Sequence, residues 1–264
     1  SGVQIRGVTQ SGPRMGVALD GAMVNIRGEG FKEFKAACVF EVERRVQPQP
    51  EAGDAVEQVR AVHNSYVAVL GGPEQLGARA WAEASRRGWA QALDTLVLGD
   101  GAPWIWNLAR DHFYTSQQVV DWCHAKQHVY TAAYLAHGEG SPRALQWARR
   151  MEDRLYKGEA WAIADTIAGL ADEHSGEVSA ALRAEAGYFD RNQRRMLYAE
   201  LREGGWPIGS GMIESGCKQF AARLTGPGMR WSRRGAERMI PIRAAIMSKR
   251  FDNIWTSCYN LPTN

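Results

Sequence analysis

The sequence predicts an α/β protein whose strands lie in the first half and whose second half is mostly helical. Two observations carry this. Short apolar, β-branched runs in the first 120 residues end at Gly or Asp, as strands leading into turns do. From His124 to about Leu201, Ala, Leu, Arg, Glu and Trp recur at three- and four-residue spacing with no strand-like run among them. Hydrophobic residues make up 45% and charged residues 23%, an ordinary globular balance, and no run of eighteen apolar residues could cross a membrane.

Taken in order, residues 15–20 read as a buried strand punctuated by Gly21, and residues 23–26 as the next strand. After Gly28-Glu29-Gly30, residues 33–43 resume an extended pattern, so the chain opens as a meander. Residues 47–53, rich in Pro and Gln, read as a linker. Asp54 then reads as a helix cap, because Val56, Val59, Val62, Tyr66 and Val69 follow at helical spacing. Gly71-Gly72-Pro73 stops that helix and opens another over residues 74–87. Residues 93–98 form a strand ending at Gly99-Asp100, Pro103 starts a helix, and Val119-Val120 lies in a further short strand. Beyond the helical block, residues 204–211 are irregular, a helix runs over 212–223, and another reaches Ser248 with a kink at Pro241.

Three acidic residues stand out by position. Asp20 and Asp100 each end a strand, where adjacent parallel strands bring them to one sheet edge. Glu214 sits in the first turn of a helix approached through glycines. Carboxylates gathered in this way repel one another, and a divalent cation removes that penalty. Two such ions about 4 Å apart serve phosphodiester chemistry. Equally, an Asp at a strand end is often a turn former or cap, and Glu214 could be a favourable first-turn charge. The pattern alone reaches a metal-dependent α/β enzyme and no further.

The formal charge is only +3, but Arg223, Arg230, Arg233, Arg234, Arg238 and Arg243 fall in one stretch. They read either as a solvated helical face or as a surface for phosphates. Lys32 and Lys35 fit phosphate contacts or an edge guarded against strand pairing. Lys218, four residues after Glu214, shares its helix face and is the candidate phosphate lysine beside the acids. Ser210 reads as the cap of that helix. Trp206 and Trp231 are the candidates for stacking on an unpaired base. One of Trp104 and Trp106 belongs to the core. Cys38, Cys123, Cys217 and Cys258 are too scattered for a zinc or redox motif and suit a reducing compartment.

In order along the chain, Gly16-Val17-Ala18-Leu19-Asp20-Gly21-Ala22-Met23, Gly30-Phe31-Lys32-Glu33-Phe34-Lys35, Leu98-Gly99-Asp100-Gly101-Ala102-Pro103-Trp104, Val120-Asp121-Trp122-Cys123-His124 and Pro207-Ile208-Gly209-Ser210-Gly211-Met212-Ile213-Glu214-Ser215-Gly216-Cys217-Lys218 resemble the bacterial insertion-sequence transposases of the ISKra4 type, within the DDE group. The resemblance covers nearly the whole chain.

It implies a ribonuclease-H-like core: a mixed five-stranded sheet with flanking helices and an all-helical insertion before the last catalytic helix. Residues 1–128 would form the first part of the core, 129–203 the insertion, and 204–264 the rest. An N-terminal DNA-binding region is expected to be missing.

By the same resemblance Asp20, Asp100 and Glu214 would be catalytic, holding two Mg²⁺ ions with Mn²⁺ as substitute. Lys32, Lys35, His124, Ser210, Lys218, Arg223, Arg230, Trp231, Arg233 and Arg234 are the expected DNA contacts. Asp121 and His124 match an Asp-x-x-His pattern whose His either contacts a scissile phosphate or merely packs. The partners would be double-stranded DNA, both terminal inverted repeats and target, and further copies of the chain assembled on it as a homodimer or higher oligomer, in the cytoplasm of a bacterium. The competing readings are a ribonuclease-H-like nuclease or junction resolvase, a domesticated non-catalytic DNA-binding protein and, more weakly, a phosphatase.

Overall fold

A computed structural model of the 264-residue chain describes residues 12–48 and 55–259. Five strands, β1 (Arg14–Ile26), β2 (Gly30–Pro48), β3 (Ala55–Val69), β4 (Thr95–Gly99) and β5 (Gln117–Val120), form one mixed sheet in the order β3-β2-β1-β4-β5. The first three pair antiparallel, while β1, β4 and β5 run parallel. Helices α1 (Pro73–Arg86) and α2 (Pro103–His112) intervene before β4 and β5. This is the expected α/β architecture, consistent with a ribonuclease-H-like fold.

After β5 the named elements are all helical: α3 (Trp122–His137), α4 (Pro142–Tyr156), α5 (Ala160–Asp172), α6 (Gly176–Asn192), α7 (Tyr198–Glu203), α8 (Gly211–Leu224), α9 (Arg233–Met247) and α10 (Phe251–Tyr259). Helices α3 to α6 pack on one another. Pro241 lies inside α9. No helix among the described residues is long and apolar enough to cross a membrane.

Two parts of the sequence reading need correction. The stretch expected to be a helix from Asp54 is strand β3, paired from Ala55 to Val69 with β2; Asp54 itself and most of the expected linker lie outside the described residues. Val and Tyr suit a pleated surface, and a long partner strand outweighs local spacing. A bulge contributes: the register shifts between Val39 and Glu41, and His63 takes a positive φ of 53°. Arg87 fills it, donating to the carbonyls of Val39 and His63 and pairing with Glu41 at 2.7 Å. Secondly, residues 15–20 and 23–26 are one continuous strand. β1 and β2 stay paired as far as Ile26 and Gly30.

The sheet is covered on both faces. Because paired residues share a face, Asp20, Phe34 and Ala36 point one way and Gly21 and Lys35 the other. Helix α8 lies on the first face, where Phe220 meets Phe34 edge to face at 5.6 Å. Helix α2 lies on the second, where Trp104 meets Lys35. Phe34, Phe220, Leu96 and Leu98 are fully buried, each contributing roughly 1.5–3 kcal/mol.

Helix α8 packs tightly on β3 at Gly216. A Cβ there would stand 2.5 Å from the ring of Tyr66, whose hydroxyl donates to the carbonyl of Met212 at 3.1 Å. Gly216→Ala is expected to destabilise the protein, since overpacking costs about 1–3 kcal/mol and outweighs a helix-propensity gain of about 1 kcal/mol. Urea denaturation checks this: the midpoint falls, whereas a rise would show that α8 is not seated by this contact.

Candidate active site

The parallel half of the sheet aligns the acids. Ala18 pairs with Leu98, and Gly99 with Val120. Two residues beyond the first pair stand Asp20 and Asp100, and one beyond the second stand Asp100 and Asp121. The three aspartates therefore form a row at one level of the sheet, Asp20 midway along β1 and Asp100 and Asp121 directly after the ends of β4 and β5, with neighbouring strands about 4.8 Å apart.

Each aspartate is held by its local backbone. Asp20 accepts from the Gly21 amide at 2.7 Å and from the Cys217 thiol on α8. Asp100 accepts from the Ala102 amide at 2.8 Å and so shapes the start of α2. Gly101 supplies the turn with φ of 99°, a conformation that suits glycine. Burial, followed by the charge of Asp100, pushes the Asp20 carboxyl above its ordinary value, although its two hydrogen bonds pull the other way.

Asp121 is buried, at 1% exposure. It caps α3: one carboxylate oxygen accepts from the amide of His124 at 2.8 Å and contacts its Nδ1 at 3.0 Å. The other accepts from the amide of Ser210, 89 residues away. The flanking backbone is tied in as well, since the Asp121 amide donates to Gly99 and the Trp122 amide to Ile208. Burial alone would raise Asp121, but the bonds from His124 and Ser210 win and hold it below the usual carboxylate range. His124 is pushed up, first by Asp121 and then by the charges of Asp100 and Asp20. Its half-buried imidazole thus lies within the field of all three aspartates.

Glu214 rides on α8 in its first turn. Its carboxylate is exposed and paired with Lys218 at 2.6 Å. Cys217, one turn on, touches Asp20, so this flank of α8 faces the row. Among the described residues no three His, Cys, Asp or Glu side chains stand together closely enough to hold a metal ion. Asp20 and Asp100 are the hard oxygen donors that fit a divalent cation.

The other expected contacts fall into two groups. Arg223, Arg230 and Arg234 are exposed, and Lys32 is half-buried. Arg230 and Arg233 gather at the turn between β1 and β2: Arg27 donates to the carbonyl of Arg230, and Arg233 grips Glu29 with both carboxylate oxygens. That turn lies beyond Asp20 in the strand direction, about 20 Å past it by strand rise.

Lys35, Ser210 and Trp231 are not placed as expected. Lys35 is buried, bonded to Glu33 at 2.9 Å and set 4.1 Å from the Trp104 ring, on the face opposite Asp20. Ser210 is buried beneath Asp121, and its side chain makes no capping bond to α8. Trp231 bridges Asn25 and Arg27 through its backbone and donates its indole N–H to Leu224. All three are packing or tethering groups. Trp206 is covered by the guanidinium of Arg14 at 3.6 Å. Sequence reasoning had noticed Asp121 only as the first member of an Asp-x-x-His pattern. The signal for its tethering role was its place, directly after the strand next to β4.

No protein-family model and no curated protein matches the chain.

The two shifts in the Asp121–His124 pair fix its pH behaviour. Asp121, lowered from 3.8, contributes stability above that value and loses it as pH falls through the depressed one. His124, raised from 6.5, contributes below that value and loses it as pH rises through the elevated one. Asp121→Ala is expected to cost about 3 kcal/mol near pH 5.5, the window between the two, and less near pH 9. Thermal unfolding without divalent ions checks this; a Tm loss that grows towards alkaline pH would contradict the pairing.

Proposed function

We propose that the chain carries out metal-dependent phosphoryl transfer on DNA, cutting and joining strands at the ends of a mobile element, as the resemblance to DDE transposases implies. The observation that carries this reading is the alignment of Asp20, midway along β1, with Asp100, directly after the adjacent parallel β4, and with Glu214 on a helix whose neighbouring thiol touches Asp20.

The donor set is oxygen-rich and hard, which suits Mg²⁺ with Mn²⁺ as substitute. Two ions held by Asp20, Asp100 and Glu214 would polarise the attacking hydroxyl and neutralise the leaving oxygen of a phosphodiester. The chain's own residues supply the rest. Asp100 is held on a rigid turn, and Asp20 is half-buried where like charge already disfavours its ionised form. Lys218 is released when Glu214 turns to the row, and its ammonium is then free for a phosphate oxygen. His124 stands ready to orient a phosphate or a water. The half-buried Lys32 and the exposed Arg230 and Arg234 would track the duplex beyond the cut, and the roughly 20 Å from Asp20 to that turn corresponds to about six base pairs.

A groove of about 880 Å³ lies on the other flank of α8, lined by Tyr66, Trp206, Ser215 and Gln219, and none of the carboxylates lines it. The assembled form would be a homodimer or higher oligomer on DNA, because two element ends must be joined together.

The test is strand transfer from a labelled, pre-cleaved duplex bearing the DNA that flanks the protein's own gene, into plasmid, with Mg²⁺ or Mn²⁺. Joined product is expected with the native residues and is expected to fall on the order of a hundredfold or more in Glu214→Gln and Asp20→Asn. Cutting without joining would indicate a nuclease or resolvase. Tight DNA binding with neither reaction would indicate a non-catalytic DNA-binding protein, in which the Glu214–Lys218 pair simply persists.

A further inference from the structure

The helical block reaches the turn that carries Asp100 through a tyrosine. Tyr188, on α6 and 88 residues from Asp100, donates its hydroxyl to the Asp100 carbonyl at 2.8 Å. Its ring covers Gly101 so closely that a Cβ there would lie 2.7 Å away. The phenol is held from behind. His128 of α3 stacks on it with centroids 3.6 Å apart and planes 22° from parallel, and His128 Nδ1 meets the Glu185 carboxylate at 2.6 Å. Asn192 ties the same face of α6 to α2. It accepts from the Trp106 indole at 3.0 Å and donates to the carbonyl of Tyr188 at 3.0 Å.

The loop of residues 100–102 is thus gripped on both sides. Within it, the Asp100 carboxylate bonds the Ala102 amide; outside it, the Asp100 carbonyl is bonded by α6. Rotation of the 100–101 peptide, which would swing the carboxylate, requires breaking the bond to Tyr188 and pushing its ring off Gly101. Burial pushes the phenol far above its ordinary value, so it remains a donor.

We propose that Tyr188 is a positioning residue, through which the helical block sets the aim of the Asp100 carboxylate at the metal and DNA. This rests on the function proposed above. A helix packed only for stability would need apolar contacts alone, which Phe189, fully buried beside Tyr188, already supplies. The added hydroxyl, the paired His128–Glu185 support and the glycine that admits the ring all converge on one backbone carbonyl.

Tyr188→Phe removes only the hydroxyl and keeps the ring on Gly101 and His128. The control is Ser179→Ala, which also removes one hydroxyl-to-carbonyl bond of α6, Ser179 to Ala171 at 2.7 Å, without touching Asp100 or the groups behind Tyr188. Mn²⁺ binding to the whole chain, followed through the electron paramagnetic resonance of free Mn²⁺, is expected to weaken roughly tenfold in Tyr188→Phe and to stay unchanged in the control. Amide exchange at Gly101 and Ala102 is expected to accelerate in Tyr188→Phe alone, with Tm lowered by a few degrees at most. Unchanged Mn²⁺ binding or unchanged exchange in Tyr188→Phe overturns the proposal, as does a shift that the control shares in proportion to its loss of Tm. A native chain that binds no Mn²⁺ removes the proposed function instead, and selective acceleration of exchange would still establish the hold on the loop.

Discussion

The buried carboxylate of Asp121 is the constraint on which the rest of the site depends. A charge almost fully withdrawn from water is tolerable only when its lone pairs are occupied. Here the occupants come from two distant parts of the chain, the first turn of α3 and the amide of Ser210 that leads into α8. The backbone bonds on either side, Asp121 to Gly99 and Trp122 to Ile208, extend the tie to the strand that carries Asp100. Glu214 therefore starts from a fixed point relative to the sheet, although an entire helical block separates it from β5. A tether of this kind specifies one arrangement, since slippage of the 207–210 segment would leave a buried charge unpaired.

A second set of contacts works from the opposite side. Tyr198 donates to the carbonyl of Val120, as Tyr188 does to Asp100. Helices α6 and α7 thus supply hydroxyls to the carboxyl ends of β5 and β4, where the parallel ladder stops and carbonyls would otherwise lack partners. The block is part of the support beneath the acid row as well as an addition to the core. The β1–β2 turn is secured independently, by the backbone of Trp231 and by Arg233 on Glu29.

Much of this was legible from residue order. The end of β4, the helix from Gly211, the helical second half and the places of Asp100 after β4 and Glu214 in the first turn of α8 all follow from periodicity, punctuation and charge. The parts that were not legible depend on partners distant in sequence. Nothing within residues 55–69 announces that Val and Tyr there will meet β2 instead of forming a helix, and the bulge at His63 blurs the alternation that would have shown it. Lys35 looked like a surface lysine because its cover, Trp104, arrives from another element. Ser210 looked like a cap because its true partner, Asp121, lies 89 residues earlier. Trp231 looked like an exposed aromatic because local sequence does not show the hairpin turn it grips.

The site is assembled from segments around residues 20, 100, 121 and 214, and its geometry has a consequence for the order in which the chain is made. Domains form as the chain emerges from its N-terminal end, so the sheet and the aspartate row are complete in length long before α8 has been synthesised. Until residue 210 is available, Asp121 lacks the amide that satisfies it, and Asp20 lacks the thiol of Cys217. A nascent or C-terminally clipped chain therefore holds three neighbouring carboxylates without the helix that organises them. The aspartate row gains these partners only once residues 210–217 have been made, a built-in delay between forming the sheet and completing the contacts around its acids.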